Sequence, residues 1–310
     1  MRRHAILLLA LIAAPADAQG NAPFTIVESG RGFGSLQEAV SAIGSGSGTI
    51  RIAAGRYRDC AVQEGGTISY VAAAPGKVVF DRAICEGKAT LVLRGIGAKV
   101  DGIVFTHTYV DDGNGAGIRI EQGNLAVANA MFVDGQCGIL SAPDKNSSIT
   151  IDRSTFSGLG KDPTGNGAHA LYVGDYAALT VTRSRFERGT GGHYVKSRAA
   201  RISITDSSFD DSQGKTTNYM IDLSNGAAGR IAGNTFLGGP NKENYSTMIT
   251  VAPEGRDNDS SGLVVENNRV GLAPGADYST TFVGNWTRDV VTVRGNQLGP
   301  RITAVGKRWL

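Results

Sequence analysis

From residue 90 onward one short unit recurs, and this recurrence limits the possible folds more than any other feature of the chain. Each copy is a β-branched run, then Ser or Asn, one variable residue, and a large apolar side chain. The copies are Ser154-Thr155-Phe156, Ser184-Arg185-Phe186, Ser207-Ser208-Phe209, Asn234-Thr235-Phe236, Asn268-Arg269-Val270 and Asn296-Gln297-Leu298. Phe105 and Phe132 fit ahead of them with weaker flanks. The large residues follow one another at intervals of 23 to 34 positions, a period that means a solenoid. Between them apolar residues alternate, as in Leu171/Val173 and Leu179/Val181, which is the period of strands rather than helices. Two or three short strands per turn with no intervening helix describe an all-β right-handed parallel β-helix. Such a coil points its large apolar residues inward and sets Ser or Asn at a bend, where the side chain satisfies turn backbone. Sheet edges then remain only at the two ends.

Composition agrees. The 310 residues include 43 glycines, roughly twice the usual share and without the period of three that marks collagen. Aromatics are only 7%, while 41% apolar residues suffice for a packed core. An all-β chain of this length commonly forms one body. A formal net charge of +3 gives no footprint for nucleic acid or a membrane surface.

Residues 1–18 read as a signal peptide: Arg2 and Arg3, an apolar run from Ala5 to Ala14, then Ala16-Asp17-Ala18 as a small-x-small cleavage site. The run is too short to span a bilayer. The expectation is an exported, soluble β-helix of residues 19–310, periplasmic or extracellular, and monomeric. Export permits disulfides. Cys60 and Cys85 can form one and leave Cys137 over, or all three can be buried thiols; no spacing suggests zinc.

A cap precedes the coils. Ser35 with Glu38 forms a capping box, and Leu36, Val40 and Ile43 give one apolar face, so a short helix is expected over 35–43. Thr49-Ile50-Arg51-Ile52 then reads as a strand, followed by Gly55-Arg56-Tyr57. This order resembles the start of the pectin-lyase-like superfamily, where an amphipathic helix plugs the first coil. The resemblance covers most of 24–300. It implies the fold but no single chemistry, because the superfamily includes lyases, hydrolases, esterases, epimerases and non-catalytic adhesins.

Function in a solenoid collects where its connections vary. The segments leading from Phe105, Phe132, Phe156, Phe186 and Phe209 to the next strand differ by up to eight residues. The opposite connections are short except between Val251 and Leu263. The strands that the variable loops enter, Leu171-Tyr172-Val173, Val195-Lys196-Ser197 and Ile221-Asp222-Leu223, align in register. Alternation sends Tyr172, Lys196 and Asp222 outward on successive rungs about 4.8 Å apart. Arg198 leaves on the same side. His169, His193 and Tyr219 stand three residues before each rung, where alternation does not fix their direction. A merely structural role competes here: Lys196 and Asp222 as a cross-strand ion pair, the histidines as loop hydrogen-bonders. Asp111-Asp112 with His107, and Glu243, Glu254, Asp257 and Asp259, lack the spacing of calcium ligands.

The composition of this group fits β-elimination on a uronic acid best. That reaction needs a cation at the C6 carboxylate, a base for the C5 proton and an acid for the leaving oxygen. Arg198 or Lys196, His193 or Lys196, and Tyr172 can fill these roles, with His169, Asp222 and Tyr219 contacting substrate. Glycoside hydrolysis needs two facing carboxylates, of which the sequence places only Asp222 centrally. No phosphate-cradling loop or nucleophile elbow appears. His193-Tyr194-Val195-Lys196-Ser197-Arg198 resembles the lysine-serine strand of β-helical alginate and dermatan-type lyases, which implies Lys196 as the base. Those families carry an arginine about one coil later, where this chain has Lys215, Tyr219 and Asp222. The signatures of pectin methylesterases, polygalacturonases and mannuronan epimerases are absent. The expected partner is an acidic polysaccharide, with no required cofactor although calcium is possible. The alternatives are a hydrolase or uronate epimerase in the same groove, or a non-catalytic glycan-binding envelope protein.

Overall fold

The computed structural model describes residues 22–160, 162, 164–165 and 168–307; the signal-peptide expectation for 1–18 falls outside them. The chain winds into a parallel β-solenoid of about nine turns. Twelve strands form the first sheet, and ten each form the second and third. A typical turn runs through Tyr176–Thr182, Arg185–Glu187 and Val195–Ser197 of these sheets in order. Three strands per turn therefore replace the two or three read from the repeat.

The recurring phenylalanines stack in one internal column along the second sheet. Phe80, Phe105, Phe132, Phe156, Phe186, Phe209 and Phe236 are all fully buried. Their register is one to one, and Phe156 and Phe186 lie 4.7 Å apart at an interplanar angle of 8°. The rung spacing enforces this near-parallel stack, and each ring contributes roughly 1.5–3 kcal/mol by burial.

The Ser and Asn positions form a second ladder at the bend before that sheet. Each side-chain oxygen accepts from the backbone N–H of the equivalent residue one turn earlier: Ser184 Oγ from Ser154 N, Ser207 Oγ from Ser184 N, Asn234 Oδ1 from Ser207 N, and Asn268 Oδ1 from Asn234 N. The residue ahead of each rung is left-handed, with φ of 45° at Arg153, 49° at Arg183, 53° at Asp206 and 69° at Gly233. That conformation turns the corner and frees the N–H for the ladder.

The N-terminal end is closed as the capping box implies. The helix spans Leu36–Ile43, Ser35 Oγ accepts from Glu38 N, and Glu38 accepts from Ser35 N. Leu36, Ala39 and Val40 plug the first coil. Phe24–Ile26 pairs antiparallel with Ser47–Ile52 and covers the edge of the first sheet. A disulfide joins Cys60 to Cys85, and Cys137 is a buried free thiol. Among the described residues, no helix is long and apolar enough to cross a membrane.

Candidate active-site groove on the third sheet

Three consecutive strands of the third sheet carry the site: Leu171–Val173, Val195–Ser197 and Ile221–Leu223. Leu171, Val195 and Ile221 enter the core, so Tyr172, Lys196 and Asp222 leave it in register on successive rungs. The row continues to Thr250 in the strand Thr247–Val251. Facing outward does not leave these side chains in water. Lys196 is 8% and Asp222 1% exposed, and Glu254 from the 252–262 connection bonds to Lys196.

Asp222 is saturated by donors. Its Oδ2 accepts from Lys196 Nζ at 3.1 Å and Ser224 Oγ at 2.8 Å, and its Oδ1 accepts from Thr250 Oγ1 at 2.9 Å. His193 Nε2 is a further 3.6 Å neighbour. Such a carboxylate anchors Lys196 and has little room for substrate. Sequence reasoning places it against the glycan; in the structure both of its oxygens are bonded within the chain.

The histidine junction is a stack. His169 and His193 lie 4.8 Å apart at 12°, and His193 and Tyr219 5.3 Å apart at 6°. His193 N donates to His169 Nδ1 and Tyr219 N donates to His193 Nδ1, each at 3.1 Å. A backbone donor on Nδ1 leaves the neutral ring its proton on Nε2. Burial, with the Lys196 charge beside it, pushes His193 down to about 3, and burial and His193 hold His169 well below the usual histidine range. Both rings are therefore neutral donors in the groove. The Nδ1 lone pair of His193, one of the two bases considered from sequence, is taken by Tyr219 N–H.

Arg198 completes the group. Its Nε donates to Tyr172 Oη at 3.1 Å, and its two terminal nitrogens reach Asn225 Oδ1 and Glu254 Oε2. Glu254 Oε1 in turn takes a hydrogen bond from Lys196 Nζ. Burial raises Glu254, but the Lys196 and Arg198 bonds outweigh it and hold the carboxyl below the usual range. Glu254 was passed over as a loop carboxylate; it stands at the centre of the site. Its one visible signal was the long connection between Val251 and Leu263. The two cations expected to face a substrate carboxylate are thus already paired with one supplied by the chain.

The remaining acidic loops are structural. His107 Nδ1 lies 2.8 Å from Asp81 Oδ1, and Asp112 accepts from Asn114 N within its own turn. Among the described residues, no three His, Cys, Asp or Glu side chains are grouped to hold a metal ion. A hollow of about 560 Å³ flanks the histidine stack, lined by Gly160, Gly192, Lys215 and Glu243 among others. It opens beside Gly192 rather than over Lys196.

Comparison with known proteins agrees with the fold. A family model described as right handed beta helix region matches residues 137–298. A search of curated protein sequences gives no match. The solved structure of the PL6 family alginate lyase AlyGC is similar at 12% identity and a TM-score of 0.55, over 81% of this chain and 36% of that one. This chain therefore spans only about a third of the lyase's length. The Azotobacter vinelandii mannuronan C-5 epimerase AlgE4 A-module is 12% identical with a TM-score of 0.28, over 87% of this chain and 93% of that one.

Proposed function

This chain belongs to the right-handed β-helix family, and on that premise we propose that it is a polysaccharide lyase acting on an acidic, uronate-containing glycan. The observation that carries the reading is the convergence of Tyr172, Lys196 and Arg198 on one face, with Arg198 bonded to Tyr172. The alginate lyase likeness supports the scaffold only.

In the proposed reaction the substrate's C6 carboxylate displaces Glu254 from Arg198, so one carboxylate replaces another in the guanidinium fork. Lys196, in its unprotonated form, accepts the C5 proton. The C5–H electron pair forms the C4–C5 double bond, the C4–O bond breaks, and the leaving oxygen takes the Tyr172 proton. Tyr172 Oη accepts from Arg198, which leaves its own O–H for this donation. Asp222 holds Lys196 in place, with His193 Nε2–H 3.6 Å from the same carboxylate oxygen. Arg198 supplies the positive charge at the substrate carboxylate, so the scheme needs no metal ion.

One observation favours a second reading. Asp222 and Glu254 share the Lys196 ammonium, which gives the site the two neighbouring carboxylates that glycoside hydrolysis needs. Against it, Asp222 is buried and fully bonded. Mature protein incubated with a panel of uronate polysaccharides separates the two. Ultraviolet absorbance of an unsaturated product together with new reducing ends supports the lyase. Reducing ends alone support the hydrolase, and binding with neither supports a glycan-binding protein. Export to the periplasm or beyond, which residues 1–18 would direct, would place the protein where such glycans occur.

A further inference from the structure

The charges that meet at the outward row cancel: Lys196 and Arg198 are paired with Asp222 and Glu254. Asp257 stands further out, exposed and bonded to Asn225. The two paired carboxylates are held differently. Asp222 is buried and accepts hydrogen bonds on both oxygens from groups fixed in the sheet. Glu254 takes Lys196 on Oε1 and Arg198 on Oε2, and its side chain is 43% exposed. Its main chain is pinned. Ala252 N donates to Leu223 O, and Glu254 N and Gly255 N both donate to Ser224 O, at 2.8 to 3.1 Å. Asn258 Nδ2 fastens the next part of the connection to Arg198 O and Gly226 O. The backbone therefore stays where it is, while the half-exposed Glu254 side chain has water to turn into.

We propose that Glu254 is a resident stand-in for the substrate carboxylate and sets the charge selectivity of the site: a ligand enters the Arg198 fork only by bringing a carboxylate of its own. Turning Glu254 into water leaves Lys196 and Arg198 with Asp222 alone between them, and a buried charge without its partner is costly. An anionic ligand restores both the charge balance and the planar pairing that guanidinium and carboxylate share. A neutral sugar, or a uronate masked as its methyl ester, restores neither, so Glu254 stays in place. The exchange also makes Glu254 a competitor, which lowers the affinity for a uronate by the fraction of molecules it keeps closed. This inference deepens the lyase reading and rests on it in placing the substrate carboxylate at Arg198.

Glu254→Ala opens the position to a small carboxylate whatever sugar the protein takes. Sodium propionate should raise the Tm of this variant by about 2 °C over sodium chloride of equal ionic strength. The parent should not respond to propionate, and neither protein should respond to propionamide. Glu254→Gln keeps the shape and removes the charge, so saturated oligouronides from alginate and pectate, titrated by calorimetry, should bind it about tenfold more tightly than the parent. Fully methyl-esterified pectate oligomers should not bind the parent. Both variants are expected to fold, because Lys196 keeps Asp222. A propionate response that is absent from Glu254→Ala or equal in the parent overturns the stand-in. So does uronide binding by Glu254→Gln that is equal or weaker, parent binding of the methyl ester as tight as of pectate, or failure of both variants to fold, which would make Glu254 an anchor for the two cations. A propionate response with neither oligouronide binding nor unsaturated product keeps the exchangeable carboxylate and removes the lyase reading. Unsaturated product from a Glu254→Gln protein that binds no more tightly than the parent removes the stand-in and leaves the lyase.

Discussion

Lys196 Nζ stands 3.1 Å from Asp222 Oδ2 across one rung of the third sheet, with both side chains buried. Burying two charges is tolerable only while each holds its partner, and removing one leaves the other uncompensated. Asp222→Asn should therefore lose about 3–5 kcal/mol of stability in urea unfolding, along with any activity that depends on the position of Lys196. An Asp222→Asn protein as stable as the parent would mean that the pair is not structurally coupled.

Arg198 bonds three acceptors at once, Tyr172, Asn225 and Glu254. Only a planar fork makes that set of contacts, so Arg198→Lys should rescue little of the loss in Arg198→Ala. Both variants are expected to fold, since Arg198 is only partly buried, and to lose about 10²–10³ in kcat on a uronate polymer. Equal kcat in Arg198→Lys and the parent would show that one positive charge suffices.

The side-chain ladder makes a prediction remote from the groove. Asn234 accepts from Ser207 N and donates to Ile204 O at 2.9 Å inside the bend. Asn234→Ala leaves both groups buried and unpaired and should cost about 1–3 kcal/mol for each stranded group. Asn234→Ser, the residue used at 154, 184 and 207, should cost clearly less. Thermal unfolding of the two variants side by side checks the difference.

Burial also fixes a pH dependence. His193 is about 3 in the folded protein against 6.5 for a free histidine, so the unfolded chain binds a proton that the folded one refuses. Its contribution to stability is complete above pH 6.5 and is lost as pH falls towards 3, at about 1.4 kcal/mol per pH unit for one proton. His169 shifts in the same direction. Urea unfolding across this window should show stability falling on acidification, and His193→Gln should flatten the slope by about one proton. An unchanged slope in the variant would place the titration elsewhere.

How much of this could be read from the chain follows its periodicities. The spacing of the Phe residues gives the coil, and alternation through Leu171, Val195 and Ile221 gives the row of Tyr172, Lys196 and Asp222. Both are local rules repeated at a fixed interval. Glu254 obeys no such rule. It lies 58 residues from Lys196 in a connection whose path is set by contacts rather than by strand geometry. The histidine orientation was equally hidden, because it depends on backbone donors from the following turn reaching Nδ1. Asp222 looked like an available carboxylate because a sequence shows that a side chain leaves the core, but not what then covers it.

The central claim is elimination at Lys196, and a paired product assay tests it most directly. Purified protein and Lys196→Ala are incubated with alginate, pectate and glycosaminoglycan uronans, with and without EDTA, and unsaturated product and reducing ends are followed together. The account predicts both signals in parallel on at least one uronan, insensitivity to EDTA, and a loss of about 10²–10⁴ in rate in Lys196→Ala. Reducing ends without unsaturated product, or undiminished elimination by Lys196→Ala, would contradict it.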